Sequence, residues 1–334
     1  MQVTPAADPQ MSREDFLMFR DFIHEKCGIF FAENKTYLVR NRLVKRMADL
    51  GIKTYRDYFY HVKYDTSLKE FNALLNLITT NETSFFRNEP QLLSFSDEVL
   101  PLLIDEKNKQ CGQKRLRIWS AGCSTGEEPY TLSIIIHEKI RDLTNWNVEI
   151  IANDISEQVL QKARRGEFSG ITMRNVRPDI LTRYFTKTGD LYRVNPSVKS
   201  LVNFSHMNLN DPRRTSVNSN LDAIFCRNVM IYFSDEVKRQ LTRNFYNALR
   251  PGGYFYIGHS ETLHGISKAF KLVYFKNALV YHKEATGVAA TAGTGHAATA
   301  QTAAKPAGSS AGVSSGASRA LDLLSKIKPV SQQK

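Results

Sequence analysis

The chain has 334 residues, of which 42% are hydrophobic, and its formal net charge is +12 at pH 7. This length suffices for two compact domains and a tail. We see no apolar run near the roughly 18 residues that span a bilayer, no secretion signal and no metal-binding cluster among the four cysteines. We therefore expect a cytoplasmic protein without membrane insertion or a metal site, whose basic surface attracts acidic partners.

Helical patterns fill the first hundred residues. Ser12 is placed to cap a first helix, whose apolar residues recur at helical spacing. Further helices are predicted over residues 34–50, 54–64, 67–78 and 89–104. With no strand expected before residue 115, we predict an all-helical N-terminal domain over residues 12–80. A linker and a connecting helix then occupy residues 81–114.

Strands alternate with helices after residue 115. Strands are predicted over residues 116–119, 148–152, 221–226, 254–258 and 279–282, and helices over 127–141, 156–166 and 235–249. This alternation is typical of a doubly wound α/β sheet, which we place at residues 115–284. Segments 191–194 and 201–204 flank turn residues, and we interpret residues 168–206 as a small antiparallel insertion. Residues 285–334 read as an Ala/Gly/Ser/Thr-rich linker with a short amphipathic end.

A turn of small residues, Gly122-Cys-Ser-Thr-Gly126, follows the first predicted strand and precedes a helix. Such a turn lets a ligand approach the backbone and the free N–H groups of the helix. It is neither the dinucleotide fingerprint nor a phosphate-binding P-loop. It does match the Gly-x-Ser-x-Gly nucleophile elbow, so a serine hydrolase using Ser124 stays open. That elbow normally follows several strands, whereas only helices precede this one.

Polar residues end the next strands of the predicted sheet. Asp154 closes the second strand, where a carboxylate accepts ribose hydroxyls. The alternative is a helix cap before Ser156. Arg227 and Asn228 follow strand 221–226, at the edge where open α/β sheets bind ligands. The alternative for Arg227 is a structural ion pair, since a buried arginine requires a partner.

These segments together resemble the chemotaxis receptor methyltransferases of the CheR type. The matching segments are residues 81–87, 120–130, 153–155, 222–233, 249–254 and 258–261. Their order and spacing agree with the family from about residue 12 to 283, and the tail lies outside the resemblance. The combination is specific, although each segment alone is not.

The resemblance implies a Rossmann-like methyltransferase domain with a β-subdomain insertion and an all-α N-terminal domain. It implies S-adenosylmethionine as methyl donor, S-adenosylhomocysteine as product, and esterification of glutamates on methyl-accepting chemotaxis receptors. The partner would be the cytoplasmic helical domain of the receptor, and a monomer suffices. Cofactor contacts carried over are Asn81, Thr83, Arg87, Glu128, Asp154, Asn208, Leu209, Arg227 and Asn228. Arg87 and Tyr232 would flank the reacting centre.

The residue types suit this chemistry. A glutamate side chain is already ionised at pH 7, so no general base is required. The enzyme must instead align the reacting atoms and exclude water. The second predicted helix carries several cations and no acid over residues 34–47. We predict that Lys35, Arg42, Lys45 and Arg46 form a receptor-docking surface, against the alternative of a solvated basic face.

Two further alternatives remain at this point. The net charge and the cofactor fold would also suit a nucleic-acid methyltransferase. Amino-methylating DNA enzymes typically carry Asp/Asn-Pro-Pro-aromatic after the fourth strand, whereas this chain has Arg227-Asn-Val-Met230. We therefore expect no nucleic-acid partner. A non-catalytic adaptor that keeps the fold is the second alternative.

Overall fold

The computed structural model describes residues 10–79, 82–216 and 218–285. These residues fall within one compact unit. Asn81 and the amphipathic end predicted for the tail lie outside the described residues. None of the helices in the described ranges has the length and apolar character needed to cross a bilayer.

The N-terminal region is a cluster of four helices. They are α1 (Arg13–Cys27), α2 (Thr36–Asp49), α3 (Tyr55–Tyr64) and α4 (Lys69–Ile78), with a 3-10 turn (Glu33–Lys35) before α2. The predicted Ser12 cap is confirmed, because its hydroxyl accepts the N–H of Asp15 at 3.0 Å. Apolar residues on one face of each helix, such as Phe19 and Leu43, form a core of their own.

The connecting helix contains a turn that the sequence did not predict. It runs through α5 (Glu89–Leu93), a π-helical stretch (Ser94–Val99) and α6 (Leu100–Asn108). Pro101 has no N–H to donate into a regular helical ladder, and Leu100 donates five residues back, to Phe95. The wider turn therefore lies where the regular α-helical pattern is interrupted.

The C-terminal region is an α/β domain around a seven-stranded sheet. Its strands are β1 (Lys114–Ala121), β2 (Trp146–Asp154), β6 (Val202–His206), β7 (Leu221–Cys226), β8 (Leu249–Ile257), β9 (Lys271–Tyr274) and β10 (Leu279–His282). The strand order is β6-β2-β1-β7-β8-β10-β9. The first five are parallel, and β10 pairs antiparallel with both of its neighbours, β8 and β9. Every residue of β7 is buried, as expected for a central parallel strand.

Helices pack against this sheet, and a second sheet is inserted in the chain between β2 and β6. The helices of at least nine residues in this region are α7 (Glu127–Lys139), α8 (Glu157–Arg165) and α12 (Asp235–Ala248). The shorter ones are α9 (Pro178–Tyr184), α10 (Pro196–Lys199) and α11 (Pro212–Thr215). The inserted sheet is antiparallel and contains β3 (Glu167–Phe168), β4 (Phe185–Thr188) and β5 (Leu191–Val194). A helical region followed by a mostly parallel α/β sheet with this insertion is the fold class that the sequence predicts.

One strand lies in a different sheet from the one predicted. Residues 201–204 were expected to pair inside the antiparallel insertion, and this expectation is wrong. β6 instead pairs parallel with β2, in register from Ile150↔Val202 to Asp154↔His206. A short alternating strand fits either sheet by pattern alone, and its partner is decided by tertiary packing. Strand β9, at the opposite edge, was not predicted.

Candidate functional site

A pocket opens at the carboxyl ends of β1, β2 and β7. The chain runs from β1 toward β2 on one side and continues to β7 on the other, which makes this a topological switch point. The predicted site residues that line the pocket are Thr83, Arg87, Glu128, Asp154, Asn208, Leu209, Arg227, Asn228 and Tyr232. Residues from five separate segments of the chain are thus brought together, and Asn81 lies outside the described residues.

Asp154 connects the glycine turn with the end of β2. Its Oδ2 accepts the N–H of Ser124 at 2.9 Å, and its Oδ1 accepts the N–H of Ser156 at 2.9 Å. Burial raises the pKa of the Asp154 carboxyl, and the backbone N–H groups of Ser156 and Ser124 oppose that shift. Ser156, rather than Asp154, caps α8, because its hydroxyl accepts the N–H of Val159. The carboxylate is therefore oriented by backbone while it faces the pocket.

Glu128 and Arg227 form an ion pair in the pocket lining, with Arg227 buried and Glu128 half-buried. Glu128 Oε1 accepts the Ser120 hydroxyl at 2.7 Å, and its Oε2 lies 3.3 Å from Arg227 Nη1. Arg227 is 7% exposed and also donates to Gln91 Oε1 at 2.8 Å and to the Arg87 carbonyl at 2.5 Å. Burial lowers the pKa of Arg227, against the attraction of Glu128. The ion-pair alternative for Arg227 thus holds for its side chain, which shapes the pocket wall.

Arg87 and Tyr232 lie on the partly exposed side of the pocket. Arg87 Nη1 donates to the carbonyl of Glu82 at 2.8 Å, so the side chain is held by the same connecting segment that carries it. Tyr232 ends a 3-10 turn (Met230–Tyr232), and its carbonyl accepts the N–H of Phe30 at 2.8 Å. The helical region therefore holds one of the two predicted catalytic residues.

Asn208 lines the pocket with its side-chain amide engaged elsewhere in the protein. Its Nδ2 donates to the Lys26 carbonyl at 2.7 Å, and its Oδ1 accepts the N–H of Asn210 at 3.0 Å. The first of these bonds connects the end of α1 to the α/β domain. Any contact of Asn208 with a ligand is left to the remaining surface of the residue.

The sequence did not reveal that the helical region lines the pocket. Cys27 and Ile29, at the end of α1, belong to the lining. Ile29 also forms a β-bridge with Phe233. Neither residue carries a ligand-binding signature, since one is a buried cysteine at the end of a helix and the other an isoleucine just beyond it. Only the packing of the two regions brings them to the site.

Among the described residues, the pocket offers no histidine base for the serine-hydrolase alternative. Ser124 has φ 49°, so its backbone is strained, as is typical of a nucleophile elbow. However, the described residues that line the pocket include no histidine. Asp154, an acid in contact with this turn, accepts the N–H of Ser124 with one carboxylate oxygen and that of Ser156 with the other. The strain of the turn thus serves the Asp154 contact.

The four predicted docking cations differ in their surroundings. Lys35 and Lys45 are exposed, whereas Arg42 donates to the carbonyl of Ile78. Arg46 forms a bidentate pair with Glu70, in which Nε donates to Oε1 at 2.9 Å and Nη2 donates to Oε2 at 2.6 Å. Glu70 is only 6% exposed, and it also accepts the hydroxyl of a tyrosine of α3. Arg46 therefore has an internal partner that Lys35 and Lys45 do not show.

Comparisons with known proteins find matches to one family along most of the chain. The family model described as CheR methyltransferase, SAM binding domain, matches residues 81–279, and CheR methyltransferase, all-alpha domain, matches residues 14–79. The chain is 37% identical over 274 residues to Chemotaxis protein methyltransferase 2 of Vibrio cholerae, covering 82% of this chain and 94% of that protein. It is 38% identical to Chemotaxis protein methyltransferase 1 of Pseudomonas aeruginosa, covering 80% and 97%. For Chemotaxis protein methyltransferase of Escherichia coli the identity is 35%, covering 78% and 89%.

Proposed function

This chain belongs to the CheR methyltransferase family, and we propose that its pocket binds S-adenosylmethionine against Asp154 and presents it to a receptor glutamate beside Arg87 and Tyr232. It is an S-adenosylmethionine-dependent methyltransferase that acts on chemotaxis receptors. The observation that carries the assignment of the site is the Asp154 carboxylate, which faces the pocket at the sheet's switch point.

The residues present fit this cofactor. A ribose diol is a pair of hydrogen-bond donors, and the Asp154 carboxylate at the end of β2 is an acceptor in the place where α/β sheets hold ribose. The pocket lining carries one carboxylate more than it has guanidinium groups, and this net negative charge complements a sulfonium cation. The proposed contacts are Asn81, Thr83, Arg87, Glu128, Asp154, Asn208, Leu209, Arg227 and Asn228.

Methyl transfer to a carboxylate requires little proton transfer by the protein. The bound cofactor supplies a methyl group carried on a positively charged sulfur. The acceptor glutamate is ionised at pH 7, so the protein need not remove a proton. Arg87 orients the carboxylate by charge-assisted hydrogen bonds. Tyr232 walls the reacting centre, so that the acceptor is aligned and partly stripped of water.

The finer identity of the partner follows from charge and from the family. We place the contact on the cytoplasmic helical domain of the receptor, with Lys35 and Lys45 as exposed docking cations and Arg42 and Arg46 beside them. We also propose that the protein acts in the cytoplasm as a monomer and takes no nucleic acid. Neither the family match nor the relatives favour a nucleic-acid methyltransferase or a serine hydrolase.

Isothermal titration of the full chain with S-adenosylmethionine and S-adenosylhomocysteine tests the site. We expect micromolar binding that Asp154→Ala removes, because the ribose acceptor is lost. Asp21→Ala is the matched control, since Asp21 is an exposed acid of α1 that does not line the pocket. Absence of binding by the unchanged protein would contradict the proposal and direct attention to Ser124 and a serine-directed probe.

A further inference from the structure

A carboxylate that does not itself line the pocket holds the segment carrying Asn228 and Tyr232. Glu261 Oε2 accepts the N–H of Asn228 at 2.9 Å and that of Gly258 at 2.5 Å. Its Oε1 accepts the N–H of Ile231 at 3.0 Å. Hydrogen bonds to an ionised acceptor are about twice as strong as neutral ones. One side chain therefore ties the end of β8 to two points of the loop that follows β7.

The held segment adopts a conformation that needs support. Asn228 has φ 60°, in the left-handed region, where residues other than glycine are uncommon. Such conformations persist when the surrounding structure over-determines them. A Cβ at position 258 would lie 2.7 Å from Glu261 Oε2 and 2.9 Å from the Asn228 nitrogen. Glycine at position 258 thus leaves the space in which carboxylate and loop meet.

Tyr232 is consequently fixed from both sides. Upstream, Glu261 holds the N–H groups of Asn228 and Ile231, and downstream the N–H of Phe30 holds the Tyr232 carbonyl at 2.8 Å. Between these anchors the chain forms a single 3-10 turn, which leaves few backbone torsions free. Release of the upstream anchor would let the turn, and with it the Tyr232 side chain, move relative to the pocket.

We propose that Glu261 is a positioning residue for methyl transfer, which acts through the backbone of residues 228–231 to hold Tyr232 at the reacting centre. This inference rests on the proposed function and adds to it a residue that touches neither cofactor nor acceptor. Its energetic basis is alignment, because a misplacement of about 1 Å can cost roughly 100-fold in rate.

The test is a double-mutant cycle in the full chain, with receptor methylation measured from labelled S-adenosylmethionine. Glu261→Gln keeps the side-chain size but places an N–H₂ group opposite one of the three backbone donors. We expect kcat to fall by roughly 10- to 100-fold. In a Tyr232→Ala background the same change should cost several-fold less, because coupled residues are non-additive.

Glu98→Gln is the matched control. Glu98 also holds a loop, since it accepts the N–H of Lys276 at 2.9 Å and the amide of Asn277 at 3.3 Å, and it does not line the pocket. It should leave kcat unchanged. An equal loss of kcat in this control, or fully additive effects of Glu261→Gln and Tyr232→Ala, would show a merely structural role and overturn the inference.

A second variant tests the inference in case Glu261→Gln folds poorly. Glu261→Asp keeps the charge and shortens the reach by one methylene, and the same non-additivity with Tyr232→Ala is expected of it. Additive effects of this variant would overturn the inference equally. If the unmodified chain neither binds S-adenosylhomocysteine nor methylates a receptor, the proposed function fails. Normal methylation with additive variants defeats the positioning role alone.

Discussion

The Asp154 carboxylate is placed where its protonation matters for binding. Burial raises its pKa above the ordinary aspartate value of about 3.9. In the site that we propose, hydroxyl donors from the ribose stabilise the ionised form, so the pKa of Asp154 falls again when the ligand binds. Ligand binding and deprotonation of Asp154 are therefore linked. The affinity for the ligand is greatest above the raised pKa of Asp154 in the free protein, and it declines as the pH falls through that pKa.

We therefore expect the affinity for S-adenosylhomocysteine to decline by up to about tenfold per pH unit on the acid side of that pKa. Isothermal titration in steps from neutral toward acid pH measures the decline. Asp154→Asn is the control, because an amide does not titrate, and its weaker binding should lack this dependence. The same acid-side decline in Asp154→Asn would assign the titration to another group.

The sequence predicted which residues line the pocket better than it predicted the residues that support them. Asp154 and Arg227 each follow a buried strand and carry a polar group that needs a partner, so their placement follows from pattern and burial cost. Glu261 was matched only as part of a motif. Its three bonds go to backbone N–H groups, which every non-proline residue possesses. Sequence cannot distinguish those three donors from the rest of the chain.

Among the helices, α2 has a packing role beside the docking role that we propose for it. Glu70 of α4 lies almost fully buried against Arg46, whose guanidinium lowers the pKa of that carboxyl. A carboxylate with a lowered pKa stabilises the fold above its unfolded pKa, and this stabilisation is lost as pH falls through the folded value. Arg46 therefore contributes to the stability of the helical region, whatever it contributes to docking.

We expect Arg46→Ala to lower the free energy of unfolding by about 2 kcal/mol, because it leaves the Glu70 carboxylate without its cation. Thermal unfolding measures this loss.

The double variant Lys35→Glu/Lys45→Glu should keep the melting temperature and the S-adenosylhomocysteine affinity. It should raise KM for the receptor by about tenfold through like-charge repulsion. Thermal unfolding and receptor methylation measure the two effects. An unchanged KM in the lysine variant would remove α2 from the docking surface.

Elements were predictable where pattern and burial agree, and not where packing decides. The buried run of β7 and the cap of α1 are local signals, and both appear as expected. The pairing of β6 with β2 and the π-helical stretch Ser94–Val99 depend on neighbours that are distant in the chain or on an interrupted ladder. The same limit applies to Cys27 and Ile29, which reach the pocket only through the packing of the helical region.

For the molecule as a whole, a net charge of +12 attracts acidic partners before any contact forms. A basic surface steers an acidic partner, and salt screens this attraction beyond a Debye length of about 8 Å at physiological ionic strength. In the proposed site, cofactor binding depends instead on short hydrogen bonds inside the pocket, which salt screens far less. Receptor encounter and cofactor binding should therefore respond differently to ionic strength.

We expect KM for the receptor to rise several-fold between low and high salt, while the affinity for S-adenosylhomocysteine changes by less than about twofold. Methylation kinetics and titration across a series of salt concentrations measure both quantities. The Lys35→Glu/Lys45→Glu variant should show a smaller rise in KM, because part of the screened attraction is already gone. A salt-insensitive KM would contradict steering by charge. Tight DNA binding with a steep salt dependence would instead support the nucleic-acid alternative, because such a slope reports phosphate contacts.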